Sequence, residues 1–276
     1  MMPPKLGILA GGGELPEIIV QACKTQGREF FVVAFEGQAS NHAFVDEPHE
    51  WVRLGAAGKT VDLLRKAAVE ELVMAGSIYR PPMSALRPDI WAARFFARFG
   101  AEAFGDNGLL SALIKTLEND EGFRVLGADE IVPDLVAEEG TFGAIGTNPE
   151  ALSNIDLGVE AAKQLGAGDL GQAAVVCRGK VIGLEDTAGT DALLERVGDD
   201  ACGGVLVKVS KPGQERRADL PSIGVATVER VSDAGISGIA VEAGSTLIIR
   251  RDDVVRAADA AGIFIVGVNP SKTELS

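Results

Sequence analysis

An acidic segment in the second half of the chain carries residue types suited to binding a hard cation. Residues 183–194 place a glutamate and two aspartates within seven positions, next to a glycine and a threonine. These residues are Glu185, Asp186, Asp191, Gly189 and Thr190. Carboxylate and hydroxyl oxygens are the ligands that Mg²⁺ prefers, so this segment predicts a magnesium site.

A basic segment follows it in an otherwise acidic protein. Residues 207–227 contain Lys208, Lys211, Arg216 and Arg217. Basic groups beside carboxylates suit phosphoryl or pyrophosphate chemistry, because cations offset the charge on the phosphoryl oxygens while a carboxylate positions water. The alternative interpretation is an exposed hairpin with solvated charges.

A glycine-rich loop near the start is a candidate nucleotide site. Gly11-Gly12-Gly13-Glu14-Leu15-Pro16 directly follows an apolar run, and glycines let a backbone approach phosphate at a helix start. Pro16 replaces the third glycine of the dinucleotide fingerprint, although Glu36 lies at a distance suited to a ribose contact. A plain tight turn is the alternative.

Gly58-Lys59-Thr60 lacks P-loop spacing and is predicted to begin a helix.

The aromatic segment 86–100 mixes Trp91 and three phenylalanines with Arg87, Arg94 and Arg98. A basic aromatic helix of this kind can touch a membrane surface or a lipid tail. A helix packed on the core, with arginines at its rim, explains the pattern equally well.

Strands and helices alternate through the first half. Apolar runs at 6–10, 28–35, 71–78 and 123–131 predict strands, and helical spacing after Leu15, at 59–69 and at 108–122 predicts the intervening helices. Gly27 is predicted to end the first helix. The pattern is typical of an α/β domain with a Rossmann-like, doubly wound parallel sheet.

The pattern changes after a stretch rich in glycine and proline at 140–150, which predicts a linker between domains 1–139 and 151–276. A helix at 156–165 precedes a hairpin around Arg178-Gly179-Lys180. Runs at 203–210, 221–228, 236–250 and 262–268 read as strands, with a helix at 251–261. The second domain is therefore predicted to be α+β with a mixed sheet.

Composition narrows the class of protein. The 276 residues include 34 glycines and carry a net charge of −14, which excludes collagen and disfavours nucleic acid as a partner. Cys23, Cys177 and Cys202 lack metal-site spacing and are predicted to be buried thiols in a reducing cytoplasm. The N-terminus is a poor signal peptide, and no apolar run approaches the roughly 18 residues of a membrane span.

Five segments occur in an order that resembles a known family. They are LGILAGGGELP, GFRVLGADEIVPDLVAEEG, NIDLGVEAAKQLGAGDLGQAAVV, GTDALL and VKVSKPGQERRADLPSIG. Their succession, from Lys5 to Val268, resembles the UDP-2,3-diacylglucosamine pyrophosphatases of lipid A biosynthesis, of the type distinct from calcineurin-like metallophosphoesterases. The resemblance implies Mg²⁺-dependent hydrolysis to UMP and 2,3-diacylglucosamine 1-phosphate, lipid X. It also implies two domains that enclose the lipid nucleotide-sugar substrate between them. The resemblance further implies that water attacks the phosphorus nearer the sugar, although attack on either phosphorus gives the same products.

One position departs from the family pattern. After Gly224 the pattern has any residue, then aspartate, then threonine, where this chain has Val225, Ala226 and Thr227. The missing carboxylate would hold Mg²⁺ or position water, so turnover is expected to fall on the order of a thousandfold or more while substrate is still held. The alanine is an engineered inactivating substitution or a natural variant. Asn107 also stands where a second aspartate is expected.

The leading hypothesis distributes roles along the chain. Catalytic roles go to Asp191, Asp219 and position 226, and metal binding to Glu185 and Asp191. Substrate binding goes to Gly11, Gly12, Gly13, Glu14, Leu15 and Ser77 at the UDP half, and to Thr190, Lys208, Lys211, Gln214 and Thr227 at the second domain.

Two other functions stay open at this point. A nicotinamide-dependent oxidoreductase is supported by the first βαβ unit and Glu36, and a non-catalytic nucleotide-sugar binding protein suits a natural Ala226. The lipid substrate implies peripheral contact with the cytoplasmic face of the inner membrane. A homodimer is what the frequency of soluble oligomers suggests.

Overall fold

The computed structural model describes residues 3–79, 86–100 and 106–272. The chain divides into two compact units: a first unit of 1–133 with 215–218, and a second unit of 134–214 with 219–276. The stretch 140–150, predicted as a linker, lies inside the second unit, where it contributes a strand and the start of a helix.

The first unit contains one parallel sheet in the order β3-β2-β1-β4-β5. Its strands are β1 (Leu6–Ala10), β2 (Phe30–Phe35), β3 (His49–Val52), β4 (Glu71–Ala75) and β5 (Arg124–Leu126). Its helices are α1 (Leu15–Gln26), α2 (Ala57–Lys66), α3 (Ile90–Phe99), α4 (Asp106–Asn119) and α5 (Ala128–Ile131). The order reverses between β1 and β4, which confirms the predicted doubly wound α/β fold.

Local signals explain most of these elements. β1 is buried throughout, and α1 has Pro16 in its first turn and ends at Gly27, whose φ of 65° suits glycine. One prediction was wrong: the strand predicted to Ile131 ends at Leu126, because α5 begins at Ala128. The edge strand β3 had not been predicted.

The second unit contains a six-stranded mixed sheet in the order β6-β13-β11-β9-β7-β8. These strands are β6 (Gly140–Phe142), β7 (Ala173–Cys177), β8 (Lys180–Leu184), β9 (Val205–Lys208), β11 (Gly238–Glu242) and β13 (Phe264–Val268). β9, β11 and β13 run parallel, while β6, β7 and β8 pair antiparallel with their neighbours. β10 (Ser222–Ile223) and β12 (Leu247–Ile248) form a separate parallel pair.

Four helices cover this sheet: α6 (Pro149–Ala167), α7 (Gly189–Val197), α8 (Val225–Asp233) and α9 (Arg251–Ala261). Alternate strand residues face opposite sides, as a pleated strand requires. Leu206 of β9 joins the core cluster of α7, α8 and α9, whereas Val205 and Val207 join the cluster of α6. Lys208, two residues after Leu206, therefore ends β9 on the face covered by α7 and α8.

The predicted hairpin is confirmed, with Arg178 and Gly179 both at positive φ. Three predictions for this unit were wrong. The helix predicted from 156 begins at Pro149, where Asn148 caps it. The strand predicted across 221–228 ends at Ile223, because α8 begins at Val225 behind a hydrogen bond from Gly224 N to Thr227. Cys202 is exposed, while Cys23 and Cys177 are buried.

Among the described residues, no helix has both the length and the apolar character that crossing a bilayer requires.

Candidate active site

A buried lysine at the end of β9 is the centre of the polar cluster in the second unit. Lys208 is 6% exposed, and its Nζ donates to the Ser222 carbonyl at 3.1 Å, directly before α8. Burial lowers the pKa of Lys208, and the charges of Glu185, Asp191 and Asp219 act in the opposite direction. The fold thus brings together one ammonium and three carboxylates that lie far apart in sequence.

Glu185 follows β8 and is almost fully buried. Its Oε2 accepts from Gln172 N at 2.7 Å and its Oε1 from the Thr190 hydroxyl at 2.5 Å. Both oxygens are therefore bound to protein donors, which disfavours Glu185 as a metal ligand. Its contacts instead fix the first turn of α7, where Thr190 lies.

Asp191, in the same turn, is 64% exposed at its side chain. Its Oδ1 lies 3.2 Å from Arg230 Nε of α8. That nitrogen is buried and makes no hydrogen bond within the described part of the chain. Ala226 lies four residues before Arg230, so the two share one face of α8. Position 226 thus lies one helical turn before Arg230, while Thr227 caps the helix start through its bond to Gly224.

Gln214 connects the remaining polar residues of the second unit. Its Nε2 donates to Asp219 Oδ2 at 2.6 Å and to Gln172 Oε1 at 3.4 Å, and its Oε1 accepts from Lys211 N at 2.8 Å. Lys211 Nζ pairs with Asp169 at 2.9 Å. Gln214 is therefore a positioning residue for Asp219, and the charge of Lys211 is already matched by a carboxylate.

The basic segment 207–227 contributes residues to both units. Lys208 and Lys211 belong to the second unit, whereas Arg216 and Arg217 belong to the first. Arg216 pairs with Asp129 at 3.3 Å and Arg217 with Glu118 at 2.9 Å. The chain changes unit within the segment, and Arg216 and Arg217 are each paired with a carboxylate of the first unit.

The glycine loop of the first unit is held by backbone contacts with the turn that follows β4. Gly11 N donates to the Ala75 carbonyl at 2.8 Å, and Gly12 and Ser77 exchange backbone bonds at 2.8 and 3.0 Å. A Cβ on Gly11 would lie 2.4 Å from the Ser77 carbonyl oxygen. Gly11 is therefore required for close backbone approach within the protein itself, and a Cβ on Gly12 would also be tight, at 3.0 Å from Ser77 Oγ.

The rest of the loop borders the point where the strand order reverses, which is where doubly wound folds bind ligands. Gly13 has a φ of 83°, and a Cβ there would meet nothing within 4 Å. Glu14 and Leu15 lead into the first turn of α1, whose amides favour anions, and Ser77 is exposed at the end of β4. Gly13 to Leu15 and Ser77 thus suit a phosphate or ribose better than Gly11 and Gly12 do.

The aromatic helix α3 packs on its own unit. Trp91 Nε1 donates to Glu121 Oε1 at 2.6 Å, and the Trp91 ring stacks on Phe95 with centroids 5.7 Å apart. Phe95 is 7% exposed. These contacts favour the packed-helix interpretation for Trp91 and Phe95.

The donor set fits a magnesium ion that is shared with substrate, rather than one held by protein alone. No group of three or more His, Cys, Asp or Glu side chains within 3–79, 86–100 and 106–272 is arranged to hold a metal. Mg²⁺ usually binds one or two carboxylates together with substrate phosphates and waters. Asp191 Oδ2 and Asp219 Oδ1 have no described hydrogen-bond donor, so these two carboxylates fit that role.

Sequence reasoning missed Arg230, Gln172 and Ser222. The spacing of Arg230 from position 226, one helical turn, is a signal that would have found it had α8 been predicted as a helix. Gln172 acts through its backbone amide and Ser222 through its carbonyl, and neither carries a signal in the sequence.

Comparison with known proteins covers both units. The family model of the LpxI N-terminal domain matches residues 5–135, and that of the LpxI C-terminal domain matches residues 138–266. The UDP-2,3-diacylglucosamine pyrophosphatase LpxI of Caulobacter vibrioides is 38% identical over 278 residues, which span 97% of this chain and 99% of that protein.

Proposed function

The chain belongs to the LpxI family, and on that premise we propose that it hydrolyses the pyrophosphate of UDP-2,3-diacylglucosamine to UMP and 2,3-diacylglucosamine 1-phosphate, a step of lipid A biosynthesis. The observation that carries the proposal is the burial of Lys208 among Glu185, Asp191 and Asp219. Family membership favours this reaction over the nicotinamide-dependent alternative.

The cluster offers both kinds of group that pyrophosphate hydrolysis needs. Lys208 and Arg230 are cations that offset charge on phosphoryl oxygens, and the low dielectric around buried Lys208 strengthens that effect. Asp219, held by Gln214, and Asp191, held by Arg230, are carboxylates able to orient water. The first turns of α7 and α8 add amide dipoles that favour anions.

Magnesium is proposed as the cofactor, held by Asp191 and Asp219 together with the pyrophosphate oxygens. When bound, it neutralises charge on the phosphoryl group. The exposed Asp191 carboxylate is the residue most open to such an ion.

The first unit is proposed to bind the UDP moiety at the reversal of the strand order. Gly13, Glu14, Leu15 and Ser77 border that crevice, and the start of α1 favours a phosphate there. Gly11 and Gly12 support the crevice by their close contact with Ser77.

Ala226 is proposed to leave this chain strongly impaired in turnover yet able to bind substrate. An aspartate at this position would lie one turn before Arg230, whose buried Nε is 3.2 Å from Asp191 Oδ1 but makes no hydrogen bond within the described residues. Its charge would also be stabilised by the first turn of α8. A non-catalytic nucleotide-sugar binding role is the second candidate, favoured by the same alanine.

The test is UMP release from UDP-2,3-diacylglucosamine with Mg²⁺, comparing this chain with Ala226→Asp and the uncharged isostere Ala226→Asn. We expect Ala226→Asp to raise turnover on the order of a thousandfold and Ala226→Asn to leave it low. If all three are folded, bind UMP and release none from the substrate, the binding role is correct. If Ala226→Asn is as active as Ala226→Asp, the carboxylate has no role at position 226.

Cellular placement and assembly are part of the proposal. The protein is proposed to act in the cytoplasm, in peripheral contact with the inner membrane through its lipid substrate, and as a homodimer. Sedimentation with anionic vesicles that carry the substrate, and equilibrium ultracentrifugation without lipid, test the two statements separately. Absence of the protein from the vesicle pellet contradicts the membrane contact. A monomer at micromolar concentration contradicts the homodimer.

A further inference from the structure

Four residues of the C-terminal half belong to the first unit. Residues 215–218, called the tether below, are part of that unit, while Gln214 and Asp219 on either side belong to the second. A turn shapes the tether, since Ala218 N donates to the Glu215 carbonyl at 3.0 Å. The chain thus visits the first unit for four residues and returns to the second.

Polar and apolar contacts hold the tether in the first unit. Glu215 N donates to Asn107 Oδ1 at 2.8 Å, and Ala218 packs against the core cluster that includes Leu117 and Val125. The first and last residues of the tether are therefore both fixed in that unit.

Arg217 is the centre of these contacts. Its Nε and Nη2 donate to the two carboxylate oxygens of Glu215 at 2.8 and 2.9 Å, and its Nη1 donates to Glu118 at 2.9 Å. These bonds lower the pKa of Glu215 and raise that of Arg217. Because all three guanidinium nitrogens are bound to carboxylates, Arg217 has a structural role, in contrast to the phosphate contact that the basic segment had suggested.

The two ends of the tether are residues of the candidate active site. Gln214 Nε2 donates to Asp219 Oδ2 at 2.6 Å, which closes the loop where it leaves the second unit. Asp219 follows Ala218 by a single peptide bond, and its charge acts on Lys208. A shift of the tether therefore moves Asp219 directly.

We propose that Arg217 is a positioning residue for the hydrolysis, acting through the tether to hold Gln214 and Asp219 in place beside Lys208. The inference rests on the function proposed above. Misplacing a catalytic group by about 1 Å costs on the order of a hundredfold in rate, so a loosened tether lowers kcat while the nucleotide loop of the first unit is unaffected.

The experiment places Arg217→Ala and Arg217→Lys in the active Ala226→Asp background and measures kcat, KM, UMP affinity and amide hydrogen exchange. Arg217→Ala is expected to lower kcat about a hundredfold, with UMP affinity unchanged within about threefold and faster exchange at 214 and 219–224. Arg217→Lys is expected to recover only part of kcat. A lysine ammonium keeps the positive charge but cannot bind two carboxylate oxygens side by side as the planar guanidinium does. Arg65→Ala removes a comparable ion pair of the first unit, with Glu121 at 2.6 Å, and is expected to leave kcat unchanged.

Two results overturn the inference. One is a kcat for Arg217→Ala within about threefold of its parent; the other is a fall in kcat that Arg65→Ala reproduces. If the parent itself releases no UMP, the proposed function fails, and the exchange data still decide whether Arg217 holds 214 and 219–224. Exchange that is unchanged in Arg217→Ala then refutes the tether as well.

Discussion

The glycine loop of the first unit and the Lys208 cluster of the second present two ways of building a site for an anionic substrate. The loop uses backbone amides and close approach, with Gly11, Gly12 and Ser77 bonded through main-chain atoms alone. The cluster uses charged side chains, with a buried lysine among Glu185, Asp191 and Asp219. The loop is therefore sensitive to added side-chain atoms, and the cluster to changes of charge.

The two designs also differ in what folding must overcome. Burying the ammonium of Lys208 removes it from water, a cost that nearby carboxylates only partly offset. The loop buries no charge, and its constraint is conformational, with Gly13 and Gly76 both at positive φ. We therefore expect the Lys208 cluster to lower the free energy of unfolding of the second unit. We expect no such cost from the glycine loop.

Replacing Lys208 by methionine tests the cluster and has the largest expected effect. Methionine fills similar space but brings no charge, so turnover in the Ala226→Asp background is expected to fall on the order of a thousandfold. UMP affinity should change little, because the proposed nucleotide loop belongs to the first unit. Steady-state kinetics and UMP titration measure both, and a loss of less than about tenfold would contradict a role for Lys208 in the reaction.

The same substitution makes a prediction about pH. Burial lowers the pKa of Lys208, so in a pH interval that ends near the unfolded value of about 10.4 the folded chain loses the proton of this lysine while the unfolded chain still holds it. The stability of the parent therefore rises with pH through this window, and the methionine variant lacks that rise. In urea unfolding from pH 7 to 10.5, we expect the free energy of unfolding of the variant to exceed that of the parent by the largest amount at the neutral end.

Gly76→Ala and Gly13→Ala form a matched pair for the loop. Both positions have positive φ, 88° and 83°, but a Cβ on Gly76 would lie 2.2 Å from the Gly12 carbonyl oxygen while one on Gly13 meets nothing within 4 Å. Gly76→Ala is expected to destabilise the first unit by about 3 kcal/mol and to weaken UMP binding, against about 1 kcal/mol for Gly13→Ala. If both variants lost the same free energy of unfolding in urea, the positive φ alone, and not the close approach to the Gly12 carbonyl, would explain the need for glycine at position 76.

The contrast between these regions also explains what sequence could reveal. β1, the glycine turn and α1 are adjacent in the chain, so local signals predicted them correctly. The residues around Lys208 come from the chain after β8, from α7, from β9 and from the chain before α8. Their residue types suggested phosphoryl chemistry, but no local signal predicted which of them lie close together. α8 itself was predicted as a strand, because Val225, Thr227 and Val228 favour strands while a helix cap at Gly224 decides the outcome. The crossing of 215–218 into the first unit has no local signal at all.

Glu215→Gln tests the ionic contacts of the first unit, with a smaller expected change in the free energy of unfolding. Its hydrogen bonds with Arg217 lower the pKa of Glu215, so its stabilising effect is present above the unfolded value of about 4.3 and is lost as pH falls through the lower folded value. We expect a loss of about 1 kcal/mol at pH 7 that disappears in strong acid.

The control for this prediction is Glu139→Gln in the second unit. Hydrogen bonds from Lys272 and Asn269 lower the pKa of Glu139 too, but its side chain is 48% exposed, so solvent screens these contacts. Its replacement is expected to change the unfolding free energy less than Glu215→Gln does. The reverse order would mean that burial does not strengthen the Glu215 contacts.

The smallest effect concerns α3 and asks whether the first unit handles lipid as well as nucleotide. Trp91→Phe keeps an aromatic ring near Phe95 but removes the Nε1 donor to Glu121, which is expected to cost about 1 kcal/mol in urea unfolding. Trp51→Phe is the matched control, since no described hydrogen bond uses the Trp51 indole nitrogen. Because Trp91 and Phe95 pack within the first unit, KM for the diacylated substrate is expected to stay within about twofold of the parent. A larger rise in KM for that substrate, with UMP affinity unchanged, would mean that α3 contacts the acyl chains. The first unit would then bind lipid as well as nucleotide.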